Sequence, residues 1–152
     1  MSYLILGALL LGAMILWLWI RHHSLKSNYE KNVDIGASLL LAKERFRRRR
    51  MYGSIIFQLK SCPGNLAGIH ITSVRGLNEE TVVRDFGRLY FDLDRTEGLD
   101  NILCSVSVSV TDRVVQRYRD NEGAIFVRGI LRFVEGIEKK FAAKLPVELL
   151  SR

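Results

Sequence analysis

The chain has 152 residues, 48% of them hydrophobic and 26% charged, with a formal net charge of +7. That length suits a single domain and excludes a large multidomain enzyme. The ordinary average conceals a segregated apolar stretch, because among the first twenty positions only Tyr3 carries an ionisable side chain. Setting the stretch aside leaves about 130 residues, enough for one modest core and too few for two.

Residues 3–20 read YLILGALLLGAMILWLWI, without a charge. At about 1.5 Å per helical residue they span roughly 27 Å of hydrocarbon. Trp17 and Trp19 fall at the end of the run, where indole rings favour the headgroup boundary, and Arg21, His22 and His23 follow as a polar stop. A cleaved secretory signal would need basic residues before the run, a shorter run and a small-x-small site after it. None of these is present, so residues 1–20 are expected to be an uncleaved single-pass anchor. Gly7, Ala8, Gly12 and Ala13 make one side of it small, without the GxxxG spacing of a helix dimer.

Arg21, Lys26 and Lys31 follow the anchor, while Met1 and Ser2 supply no basic side chain before it. The charge bias therefore places the C-terminal body on the cytoplasmic side of an inner (cell) membrane, with the N-terminus outside. Cys62 and Cys104 lack CxxC spacing, which agrees with a reducing compartment and leaves an exported disulfide open.

Residues 21–52 hold nine Lys or Arg against three acids, a net +6, whereas residues 53–152 hold fourteen against thirteen, a net +1. The basicity is concentrated in Lys43, Arg45, Arg47, Arg48, Arg49 and Arg50. Three roles compete for this run. It could be a solvated topology determinant, a contact for anionic lipid headgroups or an acidic partner subunit, or a nucleic-acid contact; the near-neutral body disfavours the last. Residues 37–50 read as a helix with Leu39, Leu40, Leu41 and Phe46 among the cations and Asp34 as its cap. The expectation is a basic helical connector over 21–52, lying near the bilayer surface.

From Gly53 the pattern changes to short apolar runs between turn residues. Residues 54–60 (SIIFQLK) and 67–74 (AGIHITSV) read as strands joined through SCPGN, hence a hairpin. Residues 78–89 read as a helix capped by Asn78, with Glu79 and Glu80 in its first turn and Gly87 limiting its length. Residues 102–110 (ILCSVSVSV) alternate apolar and serine positions, a strand with one buried face. VVQRYR, residues 114–119, fits a strand or a short helix. Residues 124–134 and 139–149 read as closing strands, the last restricted by Pro146 to an edge or a bulge. The fold expected is one N-terminal transmembrane helix plus a mainly-β domain over 53–152, a β-rich α+β unit forming an antiparallel barrel or sandwich.

No GxxxxGK[ST], GxGxxG, HExxH or GxSxG occurs, and no Cys/His metal spacing. His70, the only histidine after His23, sits opposite Ile69 and Ile71 on an alternating strand, where a surface role outweighs that of a base. Asp92 and Asp94 could share a cation and more often form a solvated strand edge. His22 and His23 point about 100° apart on a helix and so cannot ligate one iron from one face. No catalytic residue, cofactor or metal is expected. In outline the layout is similar to the H subunit of purple bacterial photosynthetic reaction centres, an architectural likeness with no shared motif. The function expected is a non-catalytic accessory subunit, docking a β-rich cytoplasmic domain onto a larger membrane complex for secretion, envelope or energy transduction. The alternative is a membrane-tethered regulatory domain that binds nucleic acid or anionic lipid. Either way the contacts would be Trp17, Trp19, Arg21 and the Lys43 to Arg50 cations.

Overall fold

The computed structural model describes residues 2–42, 50–77, 79–84, 89–93, 103–120 and 122–150. The N-terminal helix α1 (Ser2–Asn32) is long and apolar enough to cross a membrane, and its large side chains stay uncovered by the rest of the chain, Leu9 at 67% and Trp19 at 64% exposure. Exposure and the apolar run together make this helix a candidate membrane span. α1 runs twelve residues beyond Ile20 without a proline or glycine to stop it.

Eight strands follow: β1 (Asp34–Leu41), β2 (Arg50–Ser61), β3 (Leu66–Gly76), β4 (Thr81–Val83), β5 (Leu89–Asp92), β6 (Leu103–Thr111), β7 (Ala124–Phe133) and β8 (Glu138–Leu150). They form one sheet in the order β4-β6-β2-β1-β8-β7-β3-β5. The sheet curls into a half-barrel that brings β4 against β3 and β5 against β6. All neighbours are antiparallel except β1 and β8, which run parallel with Ala37 opposite Val147 and Leu39 opposite Leu149. That parallel seam joins the two halves of the sheet. The inner face carries the core, including Leu39, Ile55, Phe57, Ile69, Phe91, Ile125 and Phe141, each at most 1% exposed. A short helix α2 (Asp112–Arg119) buries Val114, Val115 and Tyr118, and the Tyr118 ring packs against the backbone of Gly123, where a side chain would collide.

Three sequence expectations give way. Residues 34–41 are a strand, so the basic helix expected over 37–50 does not form there. The physical reason lies in the alternation of Ile35, Ala37 and Leu39, all buried, with Gly36, Ser38 and Leu40, which face the other side. A short apolar run around LLL satisfies a helical period and a two-residue period alike, and pairing with both β2 and β8 settles the matter. Residues 81–83 are likewise a strand rather than part of a helix, in keeping with two β-branched valines and a threonine in a row. The supposed hairpin of residues 54–60 with 67–74 is absent as well. β2 pairs with β1 and β6 while β3 pairs with β5 and β7, so SCPGN crosses between the two halves of the sheet.

Residues 114–119 resolve as helix, and the remaining strands fall close to their expected places. β8 is interior rather than an edge, yet Pro146 is tolerated. The N–H of Val147 points to Gly123 beside β7 at 3.0 Å, so position 146 faces β1, where the parallel ladder begins only at Val147. The missing proline N–H therefore leaves no gap in the ladder.

Candidate membrane interface and docking site

Two aromatic pairs mark the boundary on α1. The Arg21 guanidinium lies 5.2 Å from the centre of the Trp17 ring, and His23 stacks on Trp19 with centroids 5.7 Å apart and planes 5° off parallel. Both are i,i+4 pairs, and because Trp17 and Trp19 lie about 200° apart they sit on nearly opposite faces, so the indoles ring the helix within about two turns. Such a belt fits the headgroup region, with the apolar turns on one side and water on the other.

Past the belt, α1 fastens onto the domain. The Asn28 side-chain N–H donates to the Lys140 carbonyl at 2.9 Å, and the Tyr29 ring tilts onto Phe141 with centroids 5.8 Å apart. The Tyr29 hydroxyl accepts the backbone N–H of Ile35 at 2.9 Å, and the Tyr29 carbonyl accepts that of Val33 at 3.0 Å. Only Val33, 5% exposed, separates helix from strand. One buried residue and four contacts thus tie the end of α1 to β1 and β8.

Strand direction then fixes which end of the domain faces the anchor. β1 begins at the α1 junction and runs eight residues, about 26 Å, away from it. β2 returns antiparallel, with Leu41 opposite Gly53 and Asp34 opposite Ser61. Ala42 and Arg50, which bracket the basic run, therefore sit at the end of the sheet remote from α1, held there by the Ala42 N–H to Tyr52 carbonyl bond and the Arg50–Thr111 pairing. Lys43, Arg45, Arg47, Arg48 and Arg49 lie outside the described residues. Arg21 thus meets Trp17 while Trp19 meets His23 on the other side of the helix, and Arg50 stands far from all of them.

Where β1 and β8 splay apart before Ala37, a groove of about 250 Å³ opens among Tyr29, Asp34, Lys60, Lys144, Pro146 and Glu148. Gly36 makes room for it, since a side chain there would come within 2.6 Å of the Lys60 stem. Two carboxylates and two ammonium groups line it with no net charge, which selects for no one class of ion.

The other singled-out residues do not converge. His70 lies on the outer face of β3 in an edge contact with Tyr90, 6.4 Å between ring centres. Cys62 and Cys104 are free thiols packed against the core, and burial pushes the Cys104 thiol up to about 12 and raises that of Cys62. A thiol so displaced stays protonated and unreactive at neutral pH. Asp92 ends β5 opposite Gly68, and Asp94 lies outside the described residues. Among the described residues no three His, Cys, Asp or Glu side chains gather as a metal site. Sequence reasoning missed Asn28 and Tyr29, the residues that hold helix to domain; the signal was available in their position about two and a half turns past Trp19, just ahead of an alternating run.

No family model and no curated protein matches the chain. Among solved structures, a cohesin module from the Clostridium perfringens ATCC13124 family 33 glycoside hydrolase aligns at 8% identity and a TM-score of 0.33, covering 78% of this chain and 99% of that one. A likeness that weak carries neither fold nor function across.

Proposed function

We propose that the protein is a non-catalytic, single-pass membrane subunit that holds a β-rich domain at a fixed height and orientation for assembly with a larger inner-membrane complex. The observation that supports this reading is the α1–β1 junction, where a spanning helix continues into the domain through one buried residue and docks on β8. A domain that must search for its ligand is better served by a long flexible linker. A stiff stalk suits a part whose place in an assembly is set. The charge bias after the anchor supports a cytoplasmic domain.

The basic run from Lys43 to Arg50 is then the docking element. Its bracketing residues stand about 26 Å from the anchor junction along β1, which favours an acidic protein surface over the bilayer that holds α1. Blue-native electrophoresis after mild detergent extraction tests the proposal. A large complex is expected, dissociated when Arg47, Arg48, Arg49 and Arg50 are changed to Glu or when a Gly/Ser linker is inserted between Asn32 and Val33. Migration of the unaltered chain only as a free monomer refutes it.

A second reading has one observation in its favour. The outer face of β3, β7 and β8 exposes Arg75, Arg128, Lys140 and Lys144 beside Phe126, the mixture of cations and an aromatic ring that single-stranded nucleic acid uses. Binding of a labelled oligonucleotide by the full chain in detergent, weakening steeply with salt, would favour this regulatory role over the scaffold.

A further inference from the structure

We infer that the turn between β7 and β8 is a second membrane contact, its tip seated in the headgroup and upper acyl region of the bilayer that α1 spans. The inference rests on the reading of α1 as a membrane anchor and adds to it a surface of the β domain.

The turn comprises residues 134–137, with Gly136 at φ 79°, a backbone state that glycine adopts without strain. It presents two aliphatic side chains to the outside, Val134 at 67% and Ile137 at 48% exposure. Val134 and Ile137 flank Glu135 and Gly136 at the tip, so the end of the domain carries two exposed aliphatic side chains around one carboxylate, a mixture that suits the boundary between headgroups and acyl chains. Directly behind the tip stand Lys139, its ammonium 5.1 Å over the Phe133 ring, and Lys140, which suit anionic headgroups.

Topology puts this turn at the anchor's end of the domain. β8 runs parallel to β1, so β8 begins at the end where β1 emerges from α1, and the turn lies immediately before β8. The connection between β2 and β3 shares that end, with the Val134 N–H bonded to the Asn65 carbonyl at 2.9 Å.

Height can be worked out too. Asn28 bonds to Lys140, and Asp34 lines the same groove as Lys144. Between Asn28 and Asp34 the chain advances about 6 Å of helix and about 7 Å of extended backbone, while β8 advances about 13 Å from Lys140 to Lys144. The two keep pace, so the end of α1 runs alongside β8 in the same direction. The turn reaches about 10–13 Å beyond Lys140 toward the membrane, which measured back along α1 from Asn28 is about seven to nine residues. That lands between Trp19 and Arg21, inside the aromatic belt. Lipid at the level of the belt would therefore meet Val134 and Ile137.

The test uses the full chain in vesicles of phosphatidylcholine and phosphatidylglycerol, with the native thiols replaced (Cys62→Ser, Cys104→Ala) and an environment-sensitive fluorophore on one new cysteine. Ile137→Cys probes the turn, Ala42→Cys the far end of the domain and Leu9→Cys the anchor, each read against lipids carrying a nitroxide near the headgroup or deep in the chain. The expected result is loss of most emission at position 137 with the shallow quencher, loss at position 9 with the deep one, and none at position 42. Quenching at 9 alone overturns the turn contact and leaves the anchor standing. Equal quenching at 137 and 42 also overturns it, because the domain would then lie flat. No quenching at 9 removes the anchor reading itself. Should Ile137→Cys fail to fold, Val134→Cys gives the same readout.

Discussion

Tyr29 is the point at which the stiffness of the stalk can be tested. Its hydroxyl satisfies the Ile35 N–H at 2.9 Å and its ring lies on Phe141 at 5.8 Å. Replacing it with Phe keeps the ring contact and orphans a half-buried N–H, a loss of about 1 kcal/mol. Replacing it with Ala removes the ring as well, adding about 1 kcal/mol for the aromatic pair and about 1 kcal/mol or more for lost apolar burial, so about 3 kcal/mol in all. For a domain of this size that corresponds to a fall in Tm of about 4 °C for Phe and about 10 °C or more for Ala. Thermal unfolding of the β domain, followed by near-ultraviolet circular dichroism in nanodiscs, measures the loss. A pair of spin labels, one in α1 and one on β7, measures the geometry in parallel. Tyr29→Ala is expected to broaden the inter-label distance distribution well before the domain melts. An unchanged distribution together with an unchanged Tm would refute the claim that helix and domain form one rigid unit.

Four further outcomes follow from particular residues. Leu39→Ala should cost about 3 kcal/mol in chemical denaturation, because Leu39 is 0% exposed, while Leu40→Ala should cost less than half of that; equal effects would contradict the strand assignment of Asp34–Leu41. Ser109→Ala should leave stability unchanged or raise it by about 1 kcal/mol, since the Ser109 hydroxyl is fully buried without a hydrogen-bond partner, and a clear loss would mean that it has one. Alkylation at pH 8 should modify Cys62 and spare Cys104, whose displacement to about 12 leaves roughly one molecule in 10⁴ as thiolate. Above pH 9 stability should fall, because the unfolded chain releases the Cys104 proton while the folded chain retains it up to about pH 12, and a flat profile across that window would rule the shift out.

What the sequence determined by itself was whatever depends on local composition or on a long periodic run. Eighteen uncharged residues ending in two tryptophans specify a helix suited to lipid whatever follows, and CSVSVSV specifies a strand with one dry face because serine and valine partition oppositely between water and core. Tertiary structure alone decided the neighbours. Residues 34–41 satisfy helix and strand patterns about equally, and became a strand because β2 and β8 each offer a ladder to pair with. SCPGN has the chemistry of a hairpin turn, yet it passes between the two halves of the sheet, because β2 has both its edges taken by β1 and β6 and β3 has both of its own taken by β5 and β7. The place of Ala42 and Arg50, which bracket the basic run, was decided in the same way. A strand carries the chain about 3.3 Å per residue in a straight line, and β1 takes the chain to the end of the sheet remote from α1, where β2 begins its return. The parallel pairing of β1 with β8 likewise brings the turn before β8, about one hundred residues further along the chain, to the end of the sheet where α1 joins β1.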